Sequence, residues 1–194
     1  MVRLPTRRQH RPNMDIVLVD DHPAVRAGLR GLIEDEAGMR VAASAASARE
    51  GLEAIAEARP AVALVDLHLP DDDGLSLCLR TRALPEPPRV VIYTALADEL
   101  LAVLAAIAGA DAVVPKSAPP SLLLETLRGG QRAPLDPRAL RAVGARLSPD
   151  ELAILGMLAH GVGEVEIAAT LRLEPEALLS RRAAMLPRRP LAAA

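Results

Sequence analysis

Four consecutive apolar residues, Val62-Ala63-Leu64-Val65, followed at once by Asp66, constrain this chain more than any other feature. A strand with no polar face has to be covered on both sides, which a helix-flanked parallel sheet provides. The same pattern recurs along the chain. Short apolar runs at 16–20, 40–44, 61–66, 89–94 and 112–115 alternate with helical patterns at 23–36, 47–58, 75–84, 98–108 and 120–128. Two of the helix starts have a local cause: Pro23 pre-sets the first helical φ, and Ser47 with Glu50 forms a capping-box pattern. Five strands alternating with five helices predict an α/β fold built on a doubly wound five-stranded parallel sheet. The apolar residues are nearly all Ala, Leu and Val, with Tyr93 the single aromatic, so helix-rich packing is favoured over an aromatic-rich β-sandwich.

The pattern changes after residue 128. Gly129-Gly130, two prolines and scattered arginines read as a linker with one helical turn, spanning 131–146. Ser148-Pro149-Asp150-Glu151 then starts a helix with an N-cap serine, a proline at the first helical position and a glutamate three residues on. Helices over 149–159, 164–171 and 175–186 complete a small all-α unit. The expected layout is a disordered tail over 1–13 with Met14 as a second candidate start, a first domain over 14–130, and a helical domain over 147–194.

Composition removes several functions. A single aromatic leaves no stacking platform for single-stranded nucleic acid. Cys78 is the lone cysteine, so no intrachain disulfide or cysteine cluster can form. Net charge is −2, with no charged block large enough to name a partner. No apolar run is long enough to span a bilayer, and a cytoplasmic setting with no membrane association is expected.

In an open parallel sheet the functional crevice lies at the carboxyl ends of the strands. Asp20, Asp66, Thr94 and Lys116 each fall at or just past such an end, and Asp21 adds a carboxylate beside Asp20. Lys116 is the only lysine against twenty-two arginines, which suggests a site needing a compact point charge. Three crowded carboxylates cannot all ionise cheaply without a cation, and Mg²⁺ suits a few carboxylates plus phosphate and water. His10, His22 and His160 form no ligand set in sequence, and Asp71-Asp72-Asp73 reads as a solvated turn rather than a calcium loop.

Over residues 15–130 this arrangement resembles the receiver domain of two-component response regulators, a flavodoxin-like fold. The matching residues are Asp20-Asp21, Asp66, Pro70, Gly74, Thr94 and Lys116. The resemblance implies that Asp66 is the phosphoacceptor, and that Asp20, Asp21, Asp66 and the backbone carbonyl of His68 hold Mg²⁺. It also implies that Thr94 hydrogen-bonds the phosphoryl group and that Lys116 pairs with Asp66. A sensor histidine kinase is the implied partner. The protein would be a phosphoacceptor, capable of autophosphorylation and autodephosphorylation, rather than an enzyme. Aspartyl-phosphate hydrolases usually carry a second acid two residues after the nucleophile, where this chain has His68. Two departures stand out: Val113 replaces the aromatic many receivers place three residues before the lysine, and Pro115 precedes Lys116 while Ser117 follows.

Residues 147–186 resemble the helix-turn-helix output domain of NarL/LuxR-type regulators, through Leu147 to Glu151, Leu155, Leu158, Gly161, Glu166-Ile167-Ala168 and Leu171. The last helix, 175–186, would read the major groove. It has Leu179 and Ala183 where the family often has lysines, and Glu174 and Glu176 at its start. Residues 134–194 hold eight arginines against seven acids, so little counterion release is available. Two readings stand. In one, Ser180, Arg181 and Arg182, with Arg188 and Arg189, contact DNA and regulate transcription, with a homodimer forming on phosphorylation. In the other, a degenerate module controls a protein partner.

Overall fold

The computed structural model describes residues 14–129 and 134–186. Strands β1 (Met14–Val19), β2 (Met39–Ala45), β3 (Val62–Val65), β4 (Arg89–Thr94) and β5 (Ala112–Pro115) form one sheet in the order β2-β1-β3-β4-β5. Every pairing is parallel, as expected. Helices α1 (Pro23–Glu34), α2 (Ala48–Ala58), α3 (Gly74–Thr81) and α4 (Glu99–Ala108) lie between the strands, and α5 (Pro120–Leu127) follows the last. The strand order reverses direction between β1 and β3, which opens a crevice at their carboxyl ends.

Successive side chains of one strand enter two different cores. Ile16, Leu18, Val62 and Leu64 meet Leu29 and Ile33 of α1 and Leu123 and Leu127 of α5. Val17, Val19, Ala63 and Val65 meet Ile55, Leu77, Val103 and Ile107 of α2, α3 and α4. Both faces are dry, as the apolar runs require, and each fully buried aliphatic side chain contributes about 1.5–3 kcal/mol. At the start of α2, Ser47 Oγ accepts from the Glu50 amide at 3.2 Å. The reciprocal bond of the capping box is displaced by one residue, because the Glu50 carboxylate takes the Ala46 amide at 3.0 Å.

The C-terminal segment forms α6 (Pro137–Gly144), α7 (Pro149–Ala159), α8 (Glu164–Leu171) and α9 (Pro175–Met185). Helix α6 occupies the stretch expected as a linker with one helical turn. Asp136 caps it by accepting from the Arg138 amide at 2.8 Å, Pro137 starts it, and Val143 is buried. An Asp-Pro start outweighs a loop-like composition once an apolar face has somewhere to pack. Ser148 and Glu151 make both bonds of a complete capping box at the start of α7.

Val143, Ile154, Leu155, Leu158, Ile167, Leu178 and Met185 continue the core on the α2–α4 side of the sheet. Helices α6, α7 and α9 pack against α4, which accounts for an odd feature of that helix. Its last six residues, Val103 to Ala108, are all buried, and a helix apolar on every side needs a cover on every side. Among the described residues no helix is long and apolar enough to cross a membrane. The tail expected over 1–13 lies outside the described residues, as do Arg188 and Arg189.

Candidate functional site

The strand ends bring Asp20, Asp66 and Lys116 into contact, with Thr94 at the end of the strand beside them. Asp20 and Asp66, just past β1 and β3, are 2% and 5% exposed, and Thr94, closing β4, is fully buried. Lys116 follows β5 and sends its Nζ to Asp20 Oδ2 at 2.7 Å and to Asp66 Oδ2 at 2.8 Å. Burial alone would lower the Lys116 pKa, but hydrogen bonds to the two carboxylates outweigh it and hold the ammonium above its ordinary value. Nζ also lies 5.9 Å from the centre of the Tyr93 ring.

Backbone bonds fix these positions. The Asp66 amide donates to the Val19 carbonyl and the Lys116 amide to the Thr94 carbonyl, each at 2.7 Å, so the sheet ladder runs into the site. Thr94 Oγ1 accepts from the Leu96 amide at 3.2 Å, which ties it to the loop before α4. Asp20 Oδ1 accepts from the His22 amide at 2.8 Å. Gly74 begins α3 against the loop that follows Asp66, where a Cβ would collide with the Asp66 carbonyl oxygen, so only glycine fits. His68 sits two residues past Asp66, joined to Asp73 by an antiparallel bridge.

Asp21 is more open, and its Oδ1 lies 2.6 Å from His22 Nδ1. Ligand atoms of Asp20, Asp21, His22 and Asp66 all fall within 4.8 Å of one another. His22 thus stands with the acidic residues, not with another histidine, its Nδ1 3.4 Å from Asp20 Oδ1 as well as close to Asp21. Three carboxylates against one ammonium form an oxygen-rich, net-negative pocket compatible with a hard divalent cation such as Mg²⁺.

The aspartate run is also not a mere solvated turn. Asp73 Oδ1 caps α3 through the Ser76 amide at 2.7 Å, Asp72 pairs with Arg80 at 3.0 Å, and Asp71 accepts two amides of α2. An acid one residue before a helix was the available signal for Asp73. For Asp71 no local signal exists, because its partners lie more than twenty residues earlier.

The C-terminal candidates are placed differently from expectation. Arg182 is fully buried. Its Nε donates to the Ile107 carbonyl at 2.6 Å and its Nη1 to the Glu164 carboxylate, which also accepts from Arg82 Nε at 3.0 Å. Ile107 lies in the last turn of α4, where carbonyls lack intrahelical partners, and a guanidinium on α9 reaches it. Burial would raise the Glu164 pKa, but the two guanidiniums outweigh it and hold the carboxyl below the usual range. Arg181 pairs with Asp150 at 2.6 Å, and Ser180 Oγ donates to the Glu176 carbonyl of its own helix at 2.8 Å. The most exposed positions in the second half of α9 are Ser180, Ala183 and Ala184, and the partly exposed Arg181 is paired with Asp150.

Comparison with known proteins gives a consistent result. The family described as the response regulator receiver domain matches residues 16–128. The DNA-binding transcriptional activator DevR/DosR of Mycobacterium tuberculosis is 31% identical over 168 residues, covering 79% of this chain and 77% of the relative. A crystal structure of a LuxR-family two-component response regulator from Aurantimonas sp. SI85-9A1 is 33% identical with a TM-score of 0.59, covering 69% of this chain and 97% of that one. RcsB from Salmonella enterica serovar Typhimurium, bound to promoter rprA, is 23% identical with a TM-score of 0.56 and covers 89% of this chain and 90% of its own. This last likeness concerns the fold alone.

Proposed function

The chain belongs to the response regulators, as a receiver-domain protein whose relatives are of the NarL/LuxR type, and on that footing we propose that it takes a phosphoryl group onto Asp66 from a sensor histidine kinase. The observation that carries the reading is the Lys116 ammonium held between Asp20 and Asp66 at 2.7 and 2.8 Å, at the open end of the sheet. Asp66 is the nucleophile: a carboxylate oxygen displaces the kinase's imidazole nitrogen from phosphorus and gives an acyl phosphate. Lys116 is already within reach of that oxygen and neutralises a phosphoryl oxygen as the bond forms. Thr94 closes the same pocket and supplies a hydroxyl donor.

Asp20, Asp21, Asp66 and the backbone carbonyl of His68 would hold Mg²⁺, which supplies charge neutralisation at the transferring group. The protein acts as a phosphoacceptor whose acyl phosphate is made and lost, in a cytoplasmic setting. Its domains are a receiver over 14–130 and an output unit over 147–194, with phosphorylation favouring association of two copies.

Two outputs follow from the C-terminal helices. One is transcription through α9. The burial of Arg182 favours a second, in which the packed helices control a protein partner, because a guanidinium expected at DNA is instead buried on the Ile107 carbonyl and Glu164. Duplexes selected from a random-sequence pool, titrated against the full chain before and after acyl-phosphate treatment, separate the two. Without phosphorylation we expect binding no tighter than about 10⁻⁶ M with a shallow salt dependence. Phosphorylation that produces tight, sequence-selective binding establishes the transcriptional output. Binding that stays weak and non-selective excludes the first and leaves the second standing, and nanomolar selective binding by the untreated protein contradicts the second and shows a DNA output that does not wait for phosphorylation.

A further inference from the structure

We propose that Asp71 is a positioning residue that holds the phosphoacceptor loop in register with Asp20 and Asp21 through the start of α2. Its neighbours tie the loop to its own helix, Asp73 by capping α3 and Asp72 by pairing with Arg80. Asp71 reaches across to another element. Its Oδ1 accepts from the Ala48 amide at 2.7 Å and its Oδ2 from the Arg49 amide at 2.9 Å.

Those amides are two of the four at the start of a helix that have no partner within it. Of the rest, the Glu50 amide is met locally by Ser47 Oγ, and the Gly51 amide already makes the first bond within the helix, to the Ser47 carbonyl at 2.9 Å. The end of α2 is thus complete only with a carboxylate from the β3–α3 loop. Burial would raise the Asp71 pKa, but the amides of Arg49 and Ala48 outweigh it and keep the carboxyl below its ordinary value, so both oxygens accept at neutral pH.

The same stretch of chain supports the acidic pair. The Asp20 amide donates to the Ala45 carbonyl at 3.2 Å, and a Cβ on Gly51 would lie 2.9 Å from the methyls of Val19, directly before Asp20. Residues 45–51 are therefore a common support, with the Asp20-Asp21 pair leaning on one side and the Asp66 loop pinned to the other by Asp71. The loop's internal bonds, the Gly74 amide to the Leu67 carbonyl at 2.7 Å and the His68–Asp73 bridge, shape the loop but do not place it relative to β1. Without Asp71 the loop keeps its shape and loses its outer anchor, which moves the His68 carbonyl against the two carboxylates.

The inference rests on the proposed reading of Asp66 and its cation. The test is calorimetric titration of the full-length, unphosphorylated protein with MgCl₂, well below the melting temperature, on wild type, Asp71→Ala, Asp71→Asn and Asp21→Ala. Asp71→Ala should weaken Mg²⁺ binding about tenfold, as losing an orienting partner behind a ligand set commonly does. Asp71→Asn keeps one acceptor oxygen and should recover most of the affinity. A merely structural role would lower the melting temperature of Asp71→Ala in metal-free buffer and leave its Mg²⁺ affinity unchanged. Asp71→Ala binding within twofold of wild type while Asp21→Ala fails to bind overturns the inference and spares the site. If Asp21→Ala also binds like wild type, the reading of the pocket fails and the inference falls with it.

Discussion

Lys116→Ala is expected to lower the stability of the metal-free protein by about 3–5 kcal/mol, the usual consequence of removing one partner from a buried ionic cluster. Asp20 and Asp66 are almost wholly buried, and both direct an oxygen at the one ammonium. Once it is gone, two carboxylates face each other with no cation between them, and each penalises the other's charge. Mg²⁺ should restore much of the lost stability, and the variant should bind it more tightly than wild type because the competing positive charge is absent. Phosphorylation-dependent change, read through the fluorescence of Tyr93, should be lost. Lys116→Arg keeps the charge but replaces a compact ammonium with a planar fork, and it should impair that response too. Thermal melts with and without MgCl₂ check the first part. A normal response in Lys116→Arg would show that charge alone matters. The raised Lys116 pKa fixes the sign of the pH dependence. The stabilisation is complete below the ordinary lysine pKa and disappears only as pH rises through the folded value.

Arg182 carries the second large effect. Its guanidinium is fully buried between α4 and α9, with two of its nitrogens bonded to the Ile107 carbonyl and Glu164 and the third, Nη2, buried with no hydrogen-bond partner. Arg182→Ala removes the one side chain that, among the described residues, bonds that carbonyl, and leaves a cavity where α9 packs on α4. The midpoint of denaturant unfolding should fall, with a loss of about 3 kcal/mol or more. Arg182→Met also leaves the Ile107 carbonyl and Glu164 without this partner, but it fills the space and should lose less than Arg182→Ala by the cavity contribution. Because the apolar core runs from the sheet into α6–α9, wild type should unfold in one transition and Arg182→Ala in two. Glu164 sets the pH dependence. With its pKa lowered in the folded state, its contribution is full above the ordinary glutamate value and lost as pH falls through the folded one. Wild-type stability in Arg182→Ala would show that the helices dock through apolar contacts alone.

The sheet was readable because its strands are apolar at consecutive positions and its helices begin with recognisable caps, as at Ser47, Pro23 and Ser148. Strand ends were less exact: Asp20 and Asp66 sit one residue beyond β1 and β3 rather than inside them. The pocket was readable as well, since topology alone brings the carboxyl ends of parallel strands together. Contacts between distant segments were not. The bond from Asp71 to the start of α2 leaves no local pattern, and neither does the fold of His22 over Asp21. Arg182 shows the limit most plainly, since charge predicts an outward position and only the docking of α9 on α4 explains a buried one. One sequence signal does bear on this docking. The segment Glu99–Ala108, apolar around its whole circumference after its first residue, already implied that something covers α4 beyond the receiver sheet.

The most direct test of the central claim is the intact mass of the full-length protein after incubation with acetyl phosphate, in MgCl₂ and in EDTA, for wild type and Asp66→Asn. The account predicts addition of one phosphoryl group to wild type only when the divalent ion is present, and none to Asp66→Asn under either condition. Equal labelling of Asp66→Asn, or labelling of wild type that ignores the divalent ion, would contradict it.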